Sequence, residues 1–253
     1  MRPSDVVIFA SALREKGARV TDCVSGDAAC GVSVGLGRSR NPKEWPNEDS
    51  VALHRLPDGA LLGVVADAHW GGGAGESVVR HTREAFLASR GANTFERLCA
   101  TLATVDLRLQ QERFGMDRSE TTALFVHLEG REATYLNVGD SLLYLLDAER
   151  CQLRNRASGQ FPLPFLGTYP LDKLPAGVVP DGGIFQLRPG EILLLATDGL
   201  EEGTATLDVS QLPGVFRGSA PIEEPLQLLL ERADDPRRGG GRDNLGVVAL
   251  RAS

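Results

Sequence analysis

Cysteine is scarce in this chain: Cys23, Cys30, Cys99 and Cys151 are the only four in 253 residues, and no two form a CxxC pair. That excludes a disulfide-stapled scaffold and a thiol-rich metal site, so the four are read as reduced, mostly buried small side chains. Long apolar runs are missing as well. The N-terminal run Val6 to Leu13 is far shorter than the ~20 apolar residues a membrane helix needs, and no clear small-residue cleavage pattern follows it. No signal peptide, no membrane span and a cytoplasmic location are therefore expected. Basic excess is missing too: Lys plus Arg number 27 against 34 Asp plus Glu, a net charge of −7. This balance argues against a nucleic-acid footprint. There is no internal repeat and no low-complexity tail, and 42% hydrophobic residues suffice for one sizeable core.

The informative feature is where the acids lie. Five segments place a carboxylate where an apolar run should stop: Pro46-Asn47-Glu48-Asp49, Val65-Ala66-Asp67-Ala68-His69, Asn137-Val138-Gly139-Asp140-Ser141, Ala196-Thr197-Asp198-Gly199 and Gly241-Arg242-Asp243-Asn244. One such carboxylate is an ordinary turn former. Several brought together repel one another unless protons or a cation neutralise them. A set of oxygen donors favours a hard ion, Mg²⁺ or Mn²⁺, over zinc.

The periodicity predicts a hairpin of Ser50–Leu56 and Ala60–Ala66 around Pro57-Asp58-Gly59, with its second strand ending at Asp67. Two helices follow, one marked by Val78, Thr82, Ala85 and Phe86, the other by Phe95, Leu98, Leu102, Val105 and Leu109. Strands are predicted over 121–128, 132–138, 141–147, 184–187 and 191–197, then a helix through Ile222, Leu226, Leu229 and Leu230 and a last strand over 245–250. Residues 157–183 read as an irregular Pro- and Gly-rich excursion. Hairpins interrupted by helices indicate an antiparallel α+β layered fold. A single domain over 1–253 is the economical reading, because the acidic motifs span most of the chain. Residues 1–30 form an extension without an assigned role, in which Val6 to Ala10 suggest an edge strand.

Asn47-Glu48-Asp49-Ser50, Val65-Ala66-Asp67-Ala68-His69, Thr121-Thr122-Ala123, Val138-Gly139-Asp140-Ser141, Ala196-Thr197-Asp198-Gly199-Leu200 and Arg242-Asp243-Asn244 occur in an order and spacing that resembles the metal-dependent protein phosphatase (PPM) family of the protein phosphatase 2C type, over about residues 31 to 251. The resemblance implies a four-layer α/β-β/α sandwich: two antiparallel sheets flanked by helices, with a pair of Mg²⁺ or Mn²⁺ ions at one end. It implies that Asp67 bridges both ions with help from the Ala68 carbonyl. Asp198 and Asp243 complete one ion, and Asp49 with Glu48 supports the other, directly or through water. Asp140 and Asp117 are candidates for a third ion. A bridging hydroxide would then attack phosphorus in line, two divalent ions having relieved the repulsion between nucleophile and phosphate dianion. His69 is placed to protonate the departing alkoxide. Alternatives stay open for Asp140 as a turn former, Glu48 as a water-orienting group and His69 as a hydrogen-bonded loop residue.

The implied reaction is hydrolysis of phosphoserine or phosphothreonine in proteins, set against an opposing Ser/Thr kinase. Two other readings keep the fold: a phosphatase of small phosphorylated metabolites, and an idle module that binds a phosphorylated partner. Three departures from the family pattern stand out. Glu44 occupies the usual position of a phosphate-binding Arg, so Lys43 or Arg40 is expected to take that role. Ala68 replaces a usual Gly and is followed by an unusual Trp70. The stretch between Asp140 and Asp198 leaves room only for an abbreviated flap, over 157–183.

Overall fold

The computed structural model describes residues 3–37, 46–112, 119–155, 165–167, 180–201, 208–218 and 221–252. Lys43, Arg40, Glu44 and Asp117 lie outside the described residues, as does most of the flap-like stretch. Among the described residues thirteen strands are formed: β1 (Asp5–Ile8), β2 (Arg19–Ser25), β3 (Ala28–Ser33), β4 (Asp49–Arg55), β5 (Leu61–His69), β6 (Glu120–Thr121), β7 (Ala123–Glu129), β8 (Glu132–Val138), β9 (Leu142–Leu146), β10 (Cys151–Leu153), β11 (Asp181–Gln186), β12 (Ile192–Ala196) and β13 (Leu245–Arg251). The helices are α1 (Gly73–Ala88), α2 (Thr94–Glu112), the single-turn α3 (Leu212–Val215) and α4 (Glu223–Ala233).

The strands divide into two antiparallel sheets. One has the order β1-β4-β5-β7-β8-β11, with β6 added to β5; the other runs β10-β9-β12-β13-β3-β2. Three apolar layers hold four layers of structure together. Val51, Leu53, Val65, Leu124, Leu195 and Val248 fill the space between the sheets. Val64, Ala66 and Phe125 point outward from the first sheet onto Val78, Phe86, Leu98 and Leu102 of α1 and α2. Leu194, Val247 and Ala249 do the same for the second sheet against Leu226, Leu229 and Leu230 of α4. The strands buried on both faces therefore read as apolar runs with no polar alternation. Each buried Leu of α2 adds about 1.5–3 kcal/mol, which fixes that helix on the sheet.

Sequence and structure differ in several places, each for a physical reason. β11 begins at Asp181, inside the stretch 157–183 read as irregular, because residues 181–183 pair with β8. β5 does not stop at Asp67: Ala68 and His69 continue it because they pair with Thr121 and Glu120. The predicted strand from Thr121 breaks at Thr122, separating β6 from β7. β9 follows β8 in the chain but joins the opposite sheet, the crossing being made at Gly139, whose φ is 103°. Residues 19–33, read as preceding the matched fold, supply β2 and β3, and β3 lies beside β13 in the second sheet. The suggested N-terminal edge strand is present as β1, paired with β4. No described helix is long and apolar enough to cross a membrane. The four cysteines are free; Cys23 and Cys30 are buried, whereas Cys99 is exposed.

Candidate metal-dependent active site

The acidic motifs converge because strands from both sheets end on one side of the sandwich. Asp49, first in β4, faces Asp67 of β5 across the antiparallel ladder. Both are essentially inaccessible to solvent. The backbone of Asp67 is fixed by the threonine pair: its N–H donates to Thr122 Oγ1 at 3.1 Å, and its carbonyl accepts from Thr121 Oγ1 at 2.9 Å and Thr122 N at 2.8 Å. Thr122 Oγ1 lies 3.0 Å from Ser141 Oγ, tying this ladder to the turn that carries Asp140.

From the other sheet, β12 delivers Thr197 and Asp198. The Thr197 hydroxyl donates to Asp49 Oδ2 at 2.7 Å and accepts from Gly246 N at 3.0 Å. Asp198 sits among Asp67, Asp140 and Asp243. Protein surrounds most of its carboxyl, although some access to solvent remains. Burial pushes that carboxyl well above the usual carboxylate range; the charges of Asp67, Asp140 and Asp243 add to the shift, as does a hydrogen bond to Asp67. A shared proton is one way for neighbouring carboxylates to relieve mutual repulsion, and a cation is the other.

Asn244 is the organiser of the remaining loop. Its N–H donates to Asp243 Oδ1 at 2.8 Å, its Oδ1 accepts from Glu48 N at 2.9 Å, and its Nδ2 donates to Val34 O at 2.7 Å and Pro46 O at 2.9 Å. The Asp-Gly pair at 198–199 has a packing cause: a Cβ on Gly199 would overlap the Asn244 carbonyl oxygen. Glycine is required there by close approach and not by turn chemistry.

The other candidates are placed as follows. Glu48 is buried, and its Oε1 accepts from Gly71 N at 2.7 Å, so this carboxylate secures the loop after β5. Ala68 lies inside β5 with an extended backbone, and replacing the usual Gly costs no strain. The strain sits two residues on: among the described residues Trp70 is the only non-glycine with positive φ, at 62°, and it is 61% exposed. His69, the last residue of β5, packs edge-on to Phe165 at 4.9 Å between ring centroids. Thr197, Asn244, Thr121 and Thr122 were part of the matched motifs without being assigned a role. Their signal was there, as hydroxyl and amide side chains beside each aspartate.

Among the described residues, no three His, Cys, Asp or Glu side chains are gathered as a ready ligand set for a metal ion. What the structure does hold is an all-oxygen group in which the Asp198 carboxyl is crowded by the charges of Asp67, Asp140 and Asp243. That donor chemistry fits Mg²⁺ or Mn²⁺, a cation that would offset the crowded negative charge.

Comparison with known proteins agrees with this arrangement. Residues 57–253 match the family described as Stage II sporulation protein E (SpoIIE). No curated protein matches the chain in sequence. Among solved structures, a bacterial serine phosphatase superposes with a TM-score of 0.72 at 18% identity, covering 89% of this chain and 97% of that one. The catalytic domain of the serine/threonine protein phosphatase PstP, in complex with two manganese ions, gives 0.66 at 20% identity, with 92% and 99% covered. The serine/threonine phosphatase Stp1 from Staphylococcus aureus gives 0.68 at 18%, with 93% and 94% covered. The family match and the fold together define a PPM-type phosphatase domain. The chain belongs to the SpoIIE family.

Proposed function

We propose that this chain hydrolyses phosphoserine and phosphothreonine esters in proteins, using two Mg²⁺ or Mn²⁺ ions, and that it opposes a Ser/Thr kinase in cytoplasmic signalling. The observation that carries this reading is the contact between Asp67 and Asp198, with Asp140 and Asp243 close enough to raise the Asp198 pKa further. Strands from both sheets have to fold together for that contact to form.

Asp67, helped by the Ala68 carbonyl, would serve both ions; Asp198 and Asp243 would complete one, and Asp49 with Glu48 beside it would support the other, directly or through water. Asp140, and Asp117 outside the described residues, are the groups for a third. When bound, the ions supply positive charge against the phosphate dianion and a water acidic enough to act at neutral pH. Thr197 aims the Asp49 carboxylate, and Asn244 fixes the position of Asp243. His69, steadied by Phe165, gives a proton from a ring nitrogen to the serine or threonine oxygen as its bond to phosphorus breaks. Lys43 or Arg40 is the cation for the substrate phosphate.

Phosphate release from a phosphothreonine peptide with Mn²⁺, with and without excess chelator, tests the proposal. Turnover that vanishes with chelator supports it, and turnover that survives contradicts it. Equal or better rates on sugar or nucleotide phosphates would move the substrate class away from proteins.

A further inference from the structure

We propose that the open edge of the sandwich between β10 and β11 is a docking cleft for an acidic, partly apolar segment of a protein partner. β10 is an edge strand of one sheet and β11 of the other. Leu145 and Phe185 remain only partly buried against the inter-sheet layer. Between the two edge strands lies a cleft of ≈ 220 Å³, its rim formed by Arg150, Arg154, Arg188, Gln152, Asp147 and Glu191. The rim carries three exposed arginines, in a chain whose net charge is −7.

The arginines are answered from within only at a distance: the Asp147 charge acts on Arg150 and Arg188 without an ion pair. Among the described residues the guanidinium groups of Arg150, Arg154 and Arg188 make no hydrogen bond and no ion pair. The two carboxylates beside them are already engaged by the backbone. Asp147 Oδ1 accepts from Glu149 N and Arg150 N at 2.8 and 2.7 Å, and Glu191 Oε2 accepts from Arg188 N at 2.6 Å. Arg154 is pre-oriented, its guanidinium lying 4.6 Å over the Phe185 ring, which leaves its edge N–H groups directed at an incoming acceptor. Planar forks of this kind pair with carboxylates in two-point contacts. The uncovered surface of Leu145 and Phe185 asks for apolar side chains between those carboxylates. An extended segment alternates its side chains in just this way.

This site goes beyond the phosphatase reading and does not need it, because occupancy is read without turnover. A short fluorescein-labelled peptide alternating Glu with Leu would be titrated with purified protein and followed by anisotropy, beside its Gln-Leu counterpart and inorganic phosphate as competitor. We expect the Glu peptide to bind with an affinity that falls as salt rises. Binding should weaken about tenfold in an Arg150→Ala/Arg154→Ala/Arg188→Ala variant, about what losing three half-exposed ion pairs gives. Arg154→Lys alone should also weaken it, since lysine keeps the charge but loses the fork. Melting temperature and p-nitrophenyl phosphate hydrolysis with Mn²⁺ should stay at wild-type values in all variants; the hydrolysis assay reports on the phosphatase reading separately. Equal binding of the Glu and Gln peptides, unchanged binding in the triple variant, or full competition by phosphate at equimolar concentration would each overturn the proposal.

Discussion

Thr197, at the end of β12 in one sheet, donates its hydroxyl at 2.7 Å to Asp49, at the start of β4 in the other. This bond clips the two halves of the sandwich together at the candidate site. It also fixes one oxygen of the Asp49 carboxylate, opposite Asp67 in the ladder. Thr197→Val keeps the shape and removes the donor, leaving a buried carboxylate oxygen and the Gly246 N–H without it. The expected loss is about 2–3 kcal/mol in chemical denaturation, together with Mn²⁺ binding weakened by about 10–100-fold. Thr197→Ser should restore most of both; a variant that loses stability while binding Mn²⁺ normally would deny the aiming role.

Asp198 is expected to behave as a group that destabilises the metal-free fold. Its pKa is raised by burial and by three neighbouring carboxylates, so ionising it at neutral pH works against folding. Asp198→Asn in the metal-free protein should therefore melt at or above the wild type. The same variant should lose the melting-temperature rise that Mn²⁺ gives the wild type, and its turnover. A metal-free variant that melts well below wild type would show that Asp198 stabilises the fold instead.

Gly199 faces a steric limit. Adding a methyl group there drives it into the Asn244 carbonyl, and the neighbouring Asp243 ladder must move. Gly199→Ala should cost about 3 kcal/mol or more by urea denaturation. The equivalent change at Gly59, where the added Cβ meets nothing but φ is 90°, should cost less.

Trp70 holds a left-handed backbone that a non-glycine residue adopts at a cost, and its exposed ring recovers little of it. Trp70→Gly should leave stability within about 1 kcal/mol of wild type, relief of strain offsetting lost contact. The ring borders a cleft of ≈ 230 Å³ also lined by Ser11, Arg14, Glu76 and Leu109. The variant should therefore raise KM for phosphopeptides without altering kcat for a small phosphate ester. A marked fall in stability would show that the ring packs more than its exposure implies.

Acid should weaken the fold through two buried imidazoles. His54 is driven below its ordinary value first by burial, which outweighs the hydrogen bond to Asp5, and His127 is likewise lowered by burial. The unfolded chain takes up these protons below about pH 6.5. The folded chain resists them, so stability falls as pH drops through that value. Asp5 adds to the trend at lower pH. Burial would raise it, but hydrogen bonds from Ser4 and His54 and the Arg83 charge win and lower it, so its contribution is lost as pH falls below the ordinary 3.8. At neutral pH His54 donates from Nδ1 to Asp5 at 2.9 Å while its buried Nε2, the acceptor nitrogen of that tautomer, finds no donor. His54→Gln should flatten the decline between pH 7 and 5 in a melting series, and an unchanged slope would remove His54 from the account.

The layered fold was legible in the sequence because apolar runs and the turns between them are local patterns, and the aspartates that act on Asp198 were marked by their places at the ends of such runs. The hairpin turn at Pro57-Asp58-Gly59 and the helices with Phe86 and Leu102 follow from turn residues and periodicity. The sheet assignments did not follow. Nothing local to Ser141–Asp147 says that β9 leaves the sheet of β8; that is decided by pairing with β12, some 50 positions away. β10 is three residues of mixed polarity and becomes a strand only because β9 offers an edge. Asn244 illustrates the same limit at the site. Its position in a motif marked it, but its role depends on Glu48 and Val34, each about 200 positions distant.

The central claim is that these carboxylates hold divalent ions as a unit. Isothermal titration of the metal-free protein with Mn²⁺ tests it most directly, wild type beside Asp67→Asn. The expected result is two ions bound per chain, the number in the PstP complex, with most of the binding lost in the variant while its far-ultraviolet circular dichroism is unchanged. Failure of the wild type to bind Mn²⁺, or binding that is the same in Asp67→Asn, would contradict it.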